Sequence, residues 1–212
     1  MHVSLIITNY NYGKYLTRAI QSALDQYYEI KDLFEIIVVD DFSTDNSREI
    51  LKDFKDEIKI LLNEKNYGLP SSLNKAIKKS RGMYILRLDS DDWLDRYCVH
   101  ILANFLNSYR NYDYVWPDYN LYDEFENLIE INSKPLGAGI MFRKQTLIDV
   151  GLYDEDMHTH EDKDLLIRCR EKFNGYHLKL PLYKYIKHKS NMTNNKQRIN
   201  NYYKKLTNKH KL

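Results

Sequence analysis

Strand-like apolar runs alternate with segments of helical periodicity through the first part of the chain, and this alternation limits the fold more than any other feature. The runs fall at residues 3–8, 35–39, 58–62 and 83–88, with helical segments at residues 15–27, 44–54 and 70–80 between them. A β-α-β order of this kind gives right-handed crossovers and an open parallel sheet. The nearly continuous apolar run at residues 35–39 is typical of a strand covered on both faces. The sequence therefore predicts an α/β fold.

The pattern changes after Trp93. We predict helices at residues 95–108, 145–150 and 161–173, and strands at residues 112–122, 128–131 and 140–142, with Pro117 interrupting the first strand. Residues 128–131 are expected to pair with residues 112–122, and residues 178–186 to hold one or two strands. The sequence contains no internal repeat and no convincing linker. We therefore predict one domain at residues 1–193, followed by a basic tail at residues 194–212.

The formal net charge of +2 hides an uneven distribution. Residues 172–212 contain ten lysines, one arginine and no acid, a charge of +11, whereas residues 1–171 carry 21 basic and 30 acidic residues, a charge of −9. A basic segment on an acidic body indicates an anionic partner. Anionic lipid head groups are one candidate and nucleic acid is another, with solubility as the plain alternative. Nucleic acid is not expected, because no recognition module accompanies the charge.

The compartment is indicated by what the sequence does not contain. Two isolated cysteines, Cys98 and Cys169, favour a reducing environment without a disulfide framework. The N-terminus has neither the basic region nor the cleavage site of a signal peptide, and no apolar stretch approaches the length of a transmembrane helix. We therefore expect a cytoplasmic protein that is at most peripheral at the cytoplasmic face of a membrane.

Polar residues stand where the predicted strands end. Thr8, Asp40 and Asp89 each lie at or just past the carboxyl end of a strand, which is the edge where open parallel sheets bind ligands. The plain alternative is local: Asn and Asp favour turns and helix N-caps. Capping explains Thr44 or Asp45, but it does not explain the acidic doublet Asp40-Asp41.

The stretch LRLDSDDWLD, residues 86–95, places several acids close together although like charges repel. A solvated turn that caps the next helix is one interpretation. Side chains at positions i and i+2 of a strand point the same way, so Asp89 and Asp91 can also face one hard cation such as Mg²⁺ or Mn²⁺. The residues by themselves leave both interpretations open.

Two later segments carry further candidates. THEDKDLLIRCR opens a helix with Glu161, Asp162 and Asp164, where carboxylates are common because they complement the helix dipole. His188 follows a predicted strand, and a single histidine is usually structural. HExxH and paired Cys/His spacings are absent, so a zinc site is not expected.

Seven stretches in order resemble the family 2 glycosyltransferases of the GT-A fold. They are SLIITNYN, EIIVVDDFSTDNS, NEKNYGLPSSLNKAI, RGMYILRLDSDDW, PLGAGIMFRKQTLIDVGLYDE, HEDKDLLIR and YKYIKHKSNMT, and they extend from Val3 to about Thr193. The resemblance implies a mostly parallel central sheet flanked by helices. It also implies an inverting transferase that moves a sugar from a nucleotide-sugar, most often a UDP-sugar, to an acceptor hydroxyl.

The resemblance also implies roles for particular residues. Asp89-Ser90-Asp91 matches the DXD motif, whose acids, together with His188, hold Mn²⁺ or Mg²⁺ against the donor diphosphate. Asp162 of the ED pair is implied as the general base. The implied nucleotide-sugar contacts are Thr8, Asn11, Asp40, Asp41, Asn66, Gly68, Ser72, Ser90, Gly137, Gly139 and Glu161.

Departures from the family pattern shape the remaining expectations. Phe42 stands where the family usually has Gly, so it can alter the turn or narrow the pocket. The QxxRW motif of processive synthases is absent, so we expect non-processive transfer in polysaccharide or glycolipid assembly. The expected acceptor is a carbohydrate or is lipid-linked, and the basic tail is expected to contact an anionic membrane.

Two other functions are weighed against this one. A sugar-phosphate nucleotidyltransferase has a related α/β fold, but its Gly-rich loop after the first strand is missing here. A catalytically silent nucleotide-sugar-binding module is the main alternative, and Phe42 is the residue that supports it.

Overall fold

The computed structural model describes residues 2–28 and 33–211. Met1 and Leu212, the outer ends of the predicted domain and tail, lie outside the described residues. The described elements are β1 (Val3–Asn9), α1 (Gly13–Leu24), β2 (Phe34–Asp40), α2 (Ser47–Asp53), β3 (Lys59–Leu62), α3 (Leu69–Lys79), β4 (Tyr84–Asp89), β5 (Trp93–Leu94), α4 (Cys98–Ser108), β6 (Tyr114–Tyr122), β7 (Leu128–Asn132), β8 (Met141–Arg143), α5 (Lys144–Asp149), α6 (Glu161–Arg170), β9 (Gly175–Ile186), a 3₁₀ turn (Met192–Asn194) and α7 (Lys196–His210).

The first half forms the predicted parallel sheet. β3, β2, β1 and β4 lie side by side in that order, and all three pairings are parallel. Every residue of β1 is buried, because α1 packs on one face of the sheet and α3 on the other. The predicted α/β class and the four predicted strands are confirmed.

The second half extends the same sheet with strands of mixed direction. The order continues β8, β6, β9 and β5, and β7 pairs with β6 as predicted. Pro117 does not end β6; the pairing of β6 with β9 shifts register there instead. Residues 178–186 were predicted to hold one or two strands. They belong to a single long strand, residues 175–186.

The predicted tail forms a helix that lies against the body. α7 buries Leu206, and its last turn makes ion pairs with Asp154 and Asp164. The division of the chain at residue 193 stays a prediction. Among the described residues, no helix is both long enough and apolar enough to cross a membrane. Both cysteines are buried and free.

Candidate functional site

A cleft of about 550 Å³ opens at the carboxyl ends of β1, β2 and β4, opposite the start of α6. Parallel strands bring their carboxyl ends to one edge, so residues far apart in sequence meet there. Eleven of the predicted site residues line the cleft: Thr8, Asp41, Asn66, Gly68, Ser72, Asp89, Ser90, Asp91, Gly137, Glu161 and Asp162. Four others, Asn11, Asp40, Gly139 and His188, are not among the lining residues.

A buried arginine joins the acids of β4 to those of α6. Arg87 Nε and Nη2 donate to the two carboxylate oxygens of Asp89, at 2.7 and 3.1 Å, and Arg87 Nη1 donates to Glu161 Oε1 at 3.0 Å. The planar guanidinium supplies several donors in fixed geometry, which suits two carboxylates at once. Arg87 therefore fixes Asp89 and Glu161 relative to each other.

Burial raises the pKa of both acids. It raises the pKa of Asp89, although the Arg87 charge opposes the shift. It raises the pKa of Glu161 to about 7, with a further increase from the neighbouring Asp162 charge and a decrease from Arg87. A carboxyl that titrates near neutral pH beside a second acid is typical of functional sites.

Asp91 faces a histidine from the far end of the chain. His188 Nε2 lies 3.0 Å from Asp91 Oδ2, and Asn191 Nδ2 donates to the same oxygen at 3.2 Å. The His188 ring stacks on Tyr15 with centroids 4.5 Å apart, and its Nδ1 lies 2.9 Å from Ser190 Oγ. The predicted meeting of Asp91 and His188 is thus present in the fold, while the metal role of the pair stays a prediction.

Asp92 has a structural role. It is fully buried, where its Oδ2 accepts from Tyr183 Oη at 2.6 Å and its Oδ1 accepts from the Ile186 backbone N–H at 2.9 Å. Burial and the nearby charges of Asp91 and Asp89 raise its pKa. These bonds tie the end of β4 to β9. The closely spaced acids Asp89, Asp91 and Asp92 are tolerated because each has its own partners.

The first turn of α6 brings Asp162 to the cleft. His160 precedes the helix in a left-handed conformation, with φ of 61°, which turns the chain into α6. A Cβ atom at Gly137 would lie 2.5 Å from Asp162 Cβ and 2.8 Å from its Oδ2. Only a glycine at residue 137 lets the loop before β8 pass this close to Asp162.

Asp41 organises the opposite end of the cleft. Its Oδ1 accepts from Asn63 Nδ2 at 2.7 Å and from the Tyr67 N–H at 2.9 Å, and its Oδ2 accepts from the Gly68 N–H at 2.7 Å. Gly68 has φ of 89°, which favours glycine, and Asn66 Oδ1 also accepts from its N–H. Ser72 Oγ accepts from Asn63. The loop between β3 and α3 is therefore folded around the Asp41 carboxylate.

Three of the residues that do not line the cleft support it from behind. Asp40 is fully buried and accepts from Asn9, from the Ser43 N–H and from Arg48. Asn11 Oδ1 accepts from the Thr44 N–H at 2.7 Å, joining the loops after β1 and β2. Gly139, with φ of 80°, donates to the Arg87 carbonyl and leaves room for the Tyr183 ring. Direct ligand contacts by these residues stay predictions.

Phe42 keeps the conformation that a glycine would adopt. Its φ is 69°, its side chain is 42% exposed, and the Arg48 guanidinium lies over its ring. Phe42 is not among the cleft-lining residues, so its side chain does not narrow the cleft. Phe42 therefore adopts a strained left-handed backbone conformation at the protein surface.

A divalent cation would find an incomplete set of protein ligands here. The described residues contain no group of three or more His, Cys, Asp or Glu side chains placed to hold a metal. Asp91 and His188 nevertheless offer an oxygen and a nitrogen side by side. Mg²⁺ and similar cations are commonly held by one or two side chains together with substrate phosphates and water. The residues therefore fit a cation that arrives with a phosphorylated ligand.

Sequence reasoning missed several residues of the site. Arg87 lies two residues before Asp89 on the same strand, so the side-chain alternation was a signal for it. Tyr15 and Asn191, which hold His188, and Arg198 of α7, which lines the cleft, gave no local signal because they depend on how the C-terminal segment folds back.

Comparisons with known proteins agree with this geometry. The chain matches the model described as Glycosyl transferase family 2 over residues 4–157. The putative glycosyltransferase EpsE of Bacillus subtilis (strain 168) is 33% identical over 202 residues, which cover 86% of this chain and 72% of the relative.

Solved structures share the fold at low sequence identity. Staphylococcus aureus TarS 1–349 in complex with UDP-GlcNAc has a TM-score of 0.79 and 22% identity, covering 92% of this chain and 61% of that chain. The mannosyltransferase PcManGT from Pyrobaculum calidifontis, in complex with GDP-Man and Mn²⁺, has a TM-score of 0.81 and 14% identity, covering 99% of this chain and 64% of that chain. The predicted GT-A fold is confirmed by these matches, and the chain spans about three fifths of each of these two solved chains.

Proposed function

The chain belongs to glycosyl transferase family 2, and from this premise we propose that it transfers a sugar from a nucleotide-sugar to an acceptor hydroxyl with inversion at the anomeric carbon. A UDP-sugar is the first candidate donor, because TarS was solved with UDP-GlcNAc. The observation that carries the proposal is the convergence of Asp89, Asp91 and Asp162 on one cleft.

The two ends of the cleft are proposed to bind different parts of the nucleotide-sugar. Thr8 and Asp41, with the loop of Asn66, Gly68 and Ser72, are proposed to hold the nucleoside. Asp41 Oδ2 accepts one described hydrogen bond and has a second lone pair for a base or ribose donor. Gly137, Ser90 and Glu161 are proposed to surround the donor sugar, between the nucleoside end and Asp162.

Asp162 is proposed to be the general base. Its carboxylate takes the proton from the acceptor hydroxyl while that oxygen forms a bond to the anomeric carbon, and the bond from that carbon to the diphosphate oxygen breaks with the electron pair leaving on the diphosphate. A single displacement of this kind inverts the configuration. Glu161 and Arg87 orient the start of α6. The predicted outcome is a product whose anomeric proton, observed by NMR, shows the configuration opposite to that of the donor.

Asp91 and His188 are proposed to hold a divalent cation, Mn²⁺ or Mg²⁺, with Asp89 beside them. Mn²⁺ accompanies GDP-Man in the PcManGT structure. Bound there, the cation would neutralise charge that develops on the leaving diphosphate. The protein holds these two metal ligands together: Asn191 donates to Asp91, and the Tyr15 ring stacks on His188.

Calorimetry with purified protein tests the donor site. We expect UDP to bind in the presence of Mn²⁺, with GDP and dTDP as comparisons, and we expect chelator and Asp91→Ala each to abolish that binding. Asp53→Ala is the matched control, because it removes an exposed carboxylate at the end of α2, away from the cleft. Failure of every nucleotide to bind the folded wild-type protein would remove the proposed function.

Turnover separates an enzyme from the main alternative, a silent nucleotide-sugar-binding module. The support that Phe42 gave this alternative is weakened, because its side chain does not line the cleft. Asp162→Asn is expected to bind UDP like wild type and to lose transfer. Wild-type protein that binds a UDP-sugar and never releases UDP, with water or any sugar as acceptor, would favour the silent module.

We further propose a carbohydrate or lipid-linked acceptor, non-processive transfer, and a cytoplasmic location with peripheral contact to an anionic membrane. The lysines of α7 support the membrane contact. Lys196 and Lys204 are exposed, whereas Lys209 is paired with Asp154 and Asp164. Sedimentation with vesicles containing anionic lipid is expected to weaken in the variant Lys196→Ala/Lys204→Ala. Equal sedimentation of variant and wild type would contradict the membrane contact.

A further inference from the structure

The segment that follows His188 takes part in the cleft. Asn191, Met192, Arg198 and Ile199 are all lining residues, and the last two belong to the first turns of α7. The sequence assigns most of this segment to a basic tail, whereas the fold places its beginning on the wall of the cleft. A basic side chain on that wall faces a site that is otherwise rich in carboxylates.

A chain of contacts locates Arg198 at the nucleotide end. The Asp41 carboxylate binds the Gly68 N–H, and a Cβ atom at Gly68 would lie 2.9 Å from His158 Nδ1. The His158 carbonyl in turn accepts from Arg198 Nη2 at 3.3 Å, and the Tyr202 ring meets the His158 ring edge-on. His158 thus connects Arg198 to the loop that Asp41 organises.

The charge of Arg198 is available for a ligand. Arg87, the other arginine of the lining, is neutralised by Asp89 and Glu161. The Arg198 side chain makes one described hydrogen bond, to a carbonyl, and within the described residues no carboxylate pairs with it. Guanidinium groups bind phosphate oxygens in bidentate geometry. The side chain therefore suits a phosphorylated ligand.

Three polar atoms in the lining of the cleft also lack partners. Asn9 Oδ1, Thr159 Oγ1 and His160 Nε2 are buried without a hydrogen bond within the described part of the chain, and all three residues line the cleft. Asn9 and Thr159 are only 2% and 7% exposed. Buried polar groups are nearly always paired in a complete structure. A bound ligand or water would supply partners for these three atoms.

The far end of α7 holds the helix in place. Lys209 Nζ lies 2.6 Å from both Asp164 Oδ1 and Asp154 Oδ2, and His210 Nε2 lies 2.8 Å from Asp164 Oδ1. Leu206 is buried on the same helix. At 1.5 Å per residue, Lys209 is about 16 Å along the helix from Arg198. The docking contacts can therefore be changed without touching the cleft.

We propose that α7 is a wall of the donor site and that Arg198 contacts the diphosphate of the nucleotide-sugar. This inference rests on the proposed function. The beginning of α7 then belongs to the cleft. The ion pairs of its last turn hold the helix against the body, and the exposed lysines between these two regions remain available for other partners.

Binding of UDP and of uridine, with GDP and guanosine in parallel, tests the contact. Arg198→Ala is expected to weaken UDP binding at least tenfold and uridine binding, measured by competition, less than twofold. Arg198→Lys is expected to recover part of the loss, because it keeps the charge without the planar fork. Lys204→Ala is the matched control: it removes an exposed cation from the same helix and leaves both affinities within twofold of wild type.

The docking contacts are tested with Lys209→Ala/His210→Ala. Asp164 keeps its ion pair with Arg168, so the body is expected to stay folded. UDP affinity is expected to fall at least threefold, trypsin is expected to cut within residues 196–211 faster than in wild type, and UDP is expected to slow that cleavage in wild type.

The outcomes separate the two proposals. If wild-type protein binds neither nucleoside diphosphate, the proposed function fails and this inference fails with it. If wild type binds UDP while Arg198→Ala binds it equally well, or loses UDP and uridine affinity by the same factor, only the role of Arg198 is overturned. Unchanged UDP affinity and proteolysis in the docking variant would overturn α7 as a wall.

Discussion

Gly137→Ala tests the geometry of the general base without altering its chemistry. The added Cβ would lie 2.5 Å from Asp162 Cβ and 2.8 Å from its Oδ2. Relaxed carbon–carbon contacts are about 3.5–4.0 Å, so Asp162 and the loop must separate by about 1 Å or more. Gly137 does not require a positive φ, so the substitution acts through the side-chain contact alone.

The expected loss follows from that displacement. Moving a catalytic group by about 1 Å costs roughly a hundredfold in rate. A hundredfold corresponds to about 2.7 kcal/mol in the activation free energy. We therefore expect kcat to fall about a hundredfold, while the Kd for UDP, whose nucleoside binds at the Asp41 end, changes less than threefold.

The assay is UDP release from the UDP-sugar that wild type binds, with water as acceptor where no sugar acceptor is known. Asp162→Asn sets the limit for complete loss of the base. Gly151→Ala is the glycine control: a Cβ there meets no atom within 4 Å, but φ of 86° strains any side chain. It is expected to lose about 1 kcal/mol of stability and to keep kcat. A folded Gly137→Ala protein with kcat within threefold of wild type would refute the placement of Asp162.

Three further outcomes are expected. Glu161→Gln should become more stable relative to wild type as pH rises from about 4.5 to 7. Burial raises the pKa of Glu161 from 4.5 to about 7, so ionisation of this acid destabilises the wild-type fold over that range. Thermal unfolding in the presence of chelator measures the difference. Glu155→Gln removes an acid whose pKa is lowered from 4.5 by bonds from Asn74 and Ser71, so its stability relative to wild type should fall as pH rises to about 4.5 and stay level from there to pH 7. A rise between pH 4.5 and 7 like that of Glu161→Gln would contradict the reasoning. Arg87→Met leaves two carboxylates unpaired and should cost about 3–5 kcal/mol, a fall of about 10 °C in Tm; an unchanged Tm would show that the pairs contribute nothing. Phe42→Gly should leave the Kd for UDP within twofold in calorimetry, and a tighter Kd would mean that Phe42 does restrict the cleft.

Much of the site was predictable because it depends on strand order alone. The periodicity at residues 3–8, 35–39 and 83–88 predicts a parallel sheet, and a parallel sheet brings the residues after its strands to one edge. Thr8, Asp41, Asp89 and Asp91 line the cleft for that reason. The helical start at Glu161 was predictable from the acids of its first turn. Its position opposite β4 was implied only by the ordered resemblance to a family.

Other features were decided by the tertiary structure. The pair Asp40 and Asp41 does not show by itself which acid lines the cleft, and the bonds from Asn9 and Arg48 hold Asp40 behind it. Tertiary contacts likewise decided the roles of Asp91 and Asp92: Asp92 binds Tyr183 of β9, whereas Asp91 faces His188. The sequence by itself determined the α/β order, the edge at which the ligand site lies and the acids available there. It did not determine that Arg87 would join two of those acids, or that α7 would fold back to complete the cleft. Those contacts join residues far apart in the chain, and they are stabilised by burial and charge pairing in the folded protein. Such contacts produce no periodic pattern in the local sequence, so the sequence alone does not predict them.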